Sequence, residues 1–195
     1  RDVKRWNVES QDLWLIFTRR GVDIDGYPAV KAHLQAFRKQ LEAKPDAWDD
    51  KTQGAWPGRK AGSYEWYHIQ DNIAYWEEFL LPKIIVPAIT DNVNYAPDLT
   101  GYFSNDKTSI VVSEDWRYLL TILNSAVSWW LTQQLFASKQ GGFFEFKPMY
   151  VSAIPIPQVT NDQRTVLEPL VEATIQGISR PEYERLLNGL VYELF

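Results

Sequence analysis

The side chains able to do chemistry are few and poorly spaced for catalysis. With no cysteine and only His33 and His68, the chain cannot use thiol nucleophiles, disulfides or cysteine-ligated metal, and a histidine-rich metal site has no support. No phosphate-cradling Walker loop, dinucleotide glycine fingerprint or Gly-x-Ser-x-Gly elbow is present. Glu77-Glu78 is a carboxylate pair, but neighbouring carboxylates of this kind read as a solvated edge. The Asn-Pro-Pro-Tyr type motif that holds an extruded adenine is absent, as is an Asp…Glu-x-Lys nuclease cluster. The expectation is a chain with no catalytic, metal or cofactor site of its own.

Charge and aromatic content point to binding instead. Net charge is −5, which argues against an indiscriminate nucleic-acid binder. Yet residues 1–60 hold twelve Lys/Arg against nine Asp/Glu, while the remainder holds eight against sixteen. Between Trp116 and Pro148 the basic residues Arg117, Lys139 and Lys147 face Glu145 alone. Two basic patches on an acidic body suit a protein that grips a polyanion along one face. Nine Trp, ten Tyr and nine Phe are more than a core needs, so part of that set is expected on a binding surface.

The elements that must position these groups read as a mixed α+β fold, strand-rich up to residue 113 and helical afterwards. Residues 14–18 (WLIFT) predict a buried strand ended by Arg19-Arg20-Gly21. Pro28 opens an amphipathic helix with Val30, Leu34, Phe37 and Leu41 on one side. Residues 45–63 form a long polar loop, and residues 64–69 alternate as a strand would. Residues 83–89 predict a β-branched strand in which Pro87 marks an edge or a terminus. Phe103 and residues 110–113 suggest a hairpin around Asn105-Asp106-Lys107. One helix is expected from Ser113 or Asp115 to about Phe136, followed by a Gly141-Gly142 loop. Thr160 with Gln163, and Ser179 with Glu182, have the capping-box spacing that opens two closing helices. The chain divides on this reading into a region 1–157 and a helical segment 158–195 that packs on it or on a parent protein. It opens on Arg1 rather than Met, which leads us to expect a larger parent. No signal peptide or bilayer-length apolar run is visible, so a cytoplasmic location away from membranes is expected.

Nine segments occur in an order that resembles the TaqI-like C-terminal specificity domain of adenine-specific DNA methyltransferases and type II restriction-modification enzymes. They are Arg1-Asp2-Val3-Lys4-Arg5-Trp6, residues 14–18, Tyr27-Pro28-Ala29-Val30-Lys31, Tyr64-Glu65-Trp66-Tyr67 and residues 82–87. Residues 119–125 (LLTILNS), Gly141-Gly142 through Phe146-Lys147, Ile154-Pro155-Ile156-Pro157 and the tail 190–195 complete the series. The resemblance implies a DNA target-recognition domain that partners double-stranded DNA and the catalytic methyltransferase domain of the same parent. That parent would use S-adenosylmethionine, and in some members carries a fused endonuclease. Within that picture Lys4, Arg5, Arg19 and Arg20 are expected to hold phosphates, which supplies affinity without sequence information. The first expected base-reading loop carries Gln53, Arg59 and Lys60, and the second carries Lys139 and Gln140. Tyr64, Trp66 and Tyr67 would line the DNA face, with Lys147 beside the second loop. Lys83 would either reach phosphate or cap a sheet edge.

Three other readings remain open on the residues alone. An aromatic platform could bind carbohydrate or another ligand, and exposed aromatics could serve a protein interface. A type I specificity subunit shares the Leu-Asn-Ser and Ile-Pro-Ile-Pro landmarks.

Overall fold

The computed structural model describes residues 2–195 and resolves the chain into two compact units. One is Leu13–Trp76; the other joins Arg1–Asp12 to Glu77–Phe195.

The Leu13–Trp76 unit has almost no apolar core. Only Thr18, Ile24 and His68 are buried in it. Its helices are α1 (Pro28–Gln35), α2 (Arg38–Leu41) and α3 (Asp50–Gln53). Pro28 opens α1 as expected, but the helix stops at Gln35, and α2 restarts after Phe37 at φ −107°. No residue of either helix is buried, so the predicted inward stripe faces no core. Residues 14–18 are not a strand: Leu13 is 86% exposed and Trp14 92%. Residues 64–69 form turns rather than a strand.

What holds this unit together is a set of arginine struts. Arg59 donates from Nε to the Leu41 carbonyl (2.6 Å), from Nη1 to His68 (2.6 Å) and from Nη2 to Trp66 (2.9 Å). Arg20 donates to the carbonyls of Ile69 and Gln70. The loop 45–63 is therefore ordered. Arg59 N–H bonds the Glu42 carbonyl, Lys44 N–H returns to Arg59, and Trp48 stacks edge-on against Trp56 at 4.8 Å. Gly58 is required there, because a Cβ would lie 2.4 Å from the Glu42 carbonyl oxygen.

The second unit contains the core. Strands β1 (Val3–Lys4) and β2 (Asn7–Val8) make a short hairpin. Strand β3 (Lys83–Pro87) lies between β5 (Ala96–Asp98) and β6 (Thr108–Val112), antiparallel to both. Pro87 thus ends a central strand, which answers the choice left open by the sequence. The Asn105 turn is present, with Lys107 N–H on Asn105 Oδ1 at 3.0 Å, but it delivers β6 to β3 rather than to Phe103. Strands β4 (Ile89–Thr90) and β7 (Phe144–Glu145) form a separate pair.

The expected helix ending near Phe136 is two helices, α4 (Trp116–Leu123) and α5 (Ala126–Leu135). Ser125 caps the second by accepting from Ser128 N–H at 3.1 Å. Losing this cap should cost about 1 kcal/mol, so Ser125→Ala should lower the urea midpoint modestly. After the short α6 (Pro148–Val151), helices α7 (Asn161–Ile175) and α8 (Arg180–Tyr192) add Leu167, Val171, Leu187 and Val191 to the same core as Ile84, Leu120 and Phe146. Thr160 and Gln163 form the capping box; Ser179 makes no side-chain cap, because its own backbone is left-handed (φ 38°). Among the described residues, no helix is long and apolar enough to cross a membrane.

Candidate nucleic-acid interface

The two units carry different charge. Leu13–Trp76 holds nine Lys/Arg against eight Asp/Glu; the rest of the chain holds eleven against seventeen.

In the Leu13–Trp76 unit, cations lie on aromatic faces. Arg19 lies 4.4 Å from the Trp76 ring centroid, Arg38 lies 5.0 Å from Trp66, and Arg20 and Arg59 share the Tyr64 ring at 5.2 and 4.5 Å. Such stacking fixes a guanidinium without neutralising it. Tyr64 is held by its hydroxyl on the Lys60 carbonyl, and Trp66 meets Tyr67 edge-on at 5.6 Å. Burial lowers the pKa of Arg59; the Tyr64 hydroxyl opposes that and the Arg20 charge adds to it. His68 is held neutral-favouring by burial first and by Arg20 next, with Glu65 opposing and Arg59 adding. Its Nδ1 accepts from Glu65 N–H at 3.1 Å. Lys60 is exposed and pairs with Asp71 at 3.1 Å. Gln53 is exposed, but its Oε1 closes the α3 turn on Asp49 N–H (3.1 Å). Arg59, on the first expected reading loop, is thus a structural strut as well.

In the other unit, residues 137–145 fold back on themselves. Lys139 N–H bonds the Phe143 carbonyl (2.7 Å) and Glu145 N–H bonds Ala137 (2.9 Å). The tip is Gln140–Gly142, where Gly141 and Gly142 have φ 80° and 82°, a region that disfavours a Cβ. Lys139 and Lys147 are both exposed, and both reach Glu145 Oε2, at 3.1 and 3.4 Å. The two lysine donors, with burial opposing, hold the Glu145 carboxyl below its usual range. Sequence reasoning missed Glu145 as their common partner. The alternation Glu145-Phe146-Lys147, with Phe146 in the core, was the available signal.

Three remaining candidates behave differently from one another. Lys4 is exposed, with Glu9 at 4.0 Å. Arg5 is turned inward onto the Asn124 carbonyl and Glu184 (3.0 Å), and burial lowers its pKa with Glu184 opposing. Lys83 is a correction to both roles expected of it. Its strand is central and its ammonium is wholly buried, bonded to Asp98 (2.5 Å) and the Phe79 carbonyl (2.5 Å), which removes it from any surface. Among the described residues no group of three or more His, Cys, Asp or Glu is placed to hold a metal ion.

The comparisons with known proteins bear on the order of landmarks. Residues 1–156 match the TaqI-like C-terminal specificity domain. The chain is 24% identical over 158 residues to type II methyltransferase M.XhoI of Xanthomonas vasicola, a match covering 80% of this chain and 27% of that protein. It is 27% identical over 178 residues to type II methyltransferase M.PaeR7I of Pseudomonas aeruginosa, covering 88% of this chain and 28% of that protein. It therefore spans less than a third of the length of either relative. With most of its length matched and the landmarks in series, the chain belongs to the TaqI-like C-terminal specificity domain family.

Proposed function

We propose that this chain recognises a specific sequence in double-stranded DNA on behalf of a type II methyltransferase. The observation that carries the reading is the family match across residues 1–156, joined to cations that are displayed rather than neutralised. In this reading the parent modifies adenine with S-adenosylmethionine as methyl donor, and the protein acts in the cytoplasm. Flipping a base into a catalytic pocket leaves its neighbours to be discriminated by another surface, which is the role we assign here. The catalytic domain of the same parent is then the protein partner, positioned by this chain on its target. Arg19, Arg20, Arg59, Lys60, Lys139 and Lys147 are among the exposed or half-exposed cations available to the duplex, with Lys4 as a further contact and Gln53 and Gln140 on the two loops.

The test is a mobility-shift titration of the chain against duplex pools at several salt concentrations. Binding should weaken steeply and linearly in log–log form as salt rises, because phosphate contacts release counterions. Salt-insensitive binding, or retention on carbohydrate without duplex affinity, would overturn the proposal in favour of an aromatic ligand platform.

A further inference from the structure

We infer that Arg20 and Arg59 together form one seat for a backbone phosphate of duplex DNA, and that neither reads a base. The inference rests on the DNA reading above and assigns a chemical role within it.

The two guanidiniums share one aromatic ring, at 5.2 and 4.5 Å from the Tyr64 centroid. Neither has a carboxylate within ion-pair distance among the described residues, whereas Lys31, Arg38, Lys44 and Lys60 in the same unit each have one. Their partners are backbone carbonyls, which accept hydrogen bonds but carry no net charge. Asp71 of the same unit is engaged by Lys60, and the Glu65 charge acts on His68 in the sense opposite to the two arginines. The two charges thus share one ring, and the Arg20 charge acts on Arg59, so a monoanion reaching both would relieve their repulsion.

Geometry separates phosphate from base. Each of the three nitrogens of Arg59 already has a carbonyl partner, and Arg20 has committed both Nη1 and Nη2. A guanidinium has five N–H groups, so donors remain on both residues. The side chains, however, are pinned half-buried against their own unit and are not extended toward a groove floor. A phosphodiester, whose two free oxygens stand on the outer ridge of the duplex, needs charge and spare N–H groups at the surface. Base readout needs a projecting side chain that meets a guanine edge bidentately.

The experiment uses the full chain, a duplex it selects and a scrambled duplex, with Arg20→Gln and Arg59→Gln as charge-removing variants that still offer an amide to the carbonyls. Each variant should reduce the salt slope by about one unit and weaken both duplexes by the same factor. Scanning single neutral methylphosphonates along the selected duplex should find one position that weakens the wild type and leaves both variants unaffected. Arg59→Lys, which keeps charge but not the fork, should keep the slope and serves as the fold-independent arm if Arg59→Gln unfolds. Selective loss of the chosen duplex over the scrambled one would make these residues base readers and overturn the inference. Two different sensitive positions, or none, would also overturn it. A wild type without salt-dependent duplex binding would fail at the first step, which marks failure of the DNA reading itself.

Discussion

Asp98→Ala should cost the chain about 3–5 kcal/mol of stability in urea unfolding, and Lys83→Met should cost less, although they break the same ion pair. Both side chains are 0% exposed. The asymmetry comes from what each partner keeps. With Lys83 gone, Asp98 still accepts from Thr100 N–H (2.8 Å), Thr100 Oγ (2.9 Å), Gly101 N–H (3.2 Å) and Tyr102 N–H (2.8 Å). With Asp98 gone, the buried ammonium has the Phe79 carbonyl and a ring 6.0 Å away, and the 98–102 turn loses all four donors' acceptor. Equal or reversed costs would show that the pair, rather than the turn, dominates. The pair also has a pH signature. Burial alone would raise the Asp98 carboxyl, but Lys83 and the Thr100 donors outweigh it and hold it below the ordinary value. A carboxyl depressed on folding stabilises the native state above its unfolded pKa, and that stability is lost as pH falls through the folded value. The wild type should therefore lose stability progressively below about pH 4, and Asp98→Asn should lose that part of the dependence.

Asn124→Ala should be the second most damaging change, at about 2–4 kcal/mol. Asn124 is 0% exposed and bonds the backbone of Tyr95 twice, accepting from its N–H at 3.1 Å and donating to its carbonyl at 2.8 Å. The amide thus substitutes for a neighbouring strand beside β5. Truncation leaves the Tyr95 N–H buried without a partner, while the Tyr95 carbonyl keeps the Trp6 N–H at 3.0 Å. The Asn124 backbone carbonyl meanwhile receives Arg5. One position therefore joins the N-terminal hairpin, the sheet and the α4–α5 break. A loss no larger than that of Ser125→Ala would show that this joint is redundant.

Those residues also mark where the sequence was legible. Local chemistry transferred well: Thr160 and Gln163 meet because an extended Thr160 (φ −77°, ψ 164°) suffices to close the box. The same spacing at Ser179 fails because Gly177 and Ser179 are both left-handed, which no residue count reveals. Long-range partners were hidden. The Leu-Asn-Ser landmark looked like uninterrupted helix, although Ser125 caps a new helix there and the Asn124 amide is engaged by Tyr95, 29 residues away. Residues 14–18 have strand composition but form no strand, although the Thr18 carbonyl accepts from Ile69 N–H at 2.9 Å; composition alone does not make a ladder. For the candidate interface, residue type nominated Arg20, Arg59, Lys83, Lys139 and Lys147. It could not say that Arg59 is held by three carbonyls or that Lys83 is enclosed.

The near absence of an apolar core in Leu13–Trp76 bears on how such a unit can diversify. In an ordinary domain most inward side chains are constrained by close packing, so drift at one position forces repacking at others. Here the frame is drawn largely from backbone carbonyls, which every residue type carries, and a few arginines and rings grasp them. The intervening side chains can change identity without disturbing a packed interior. A surface built this way can accumulate new residues at little folding cost while its outline persists.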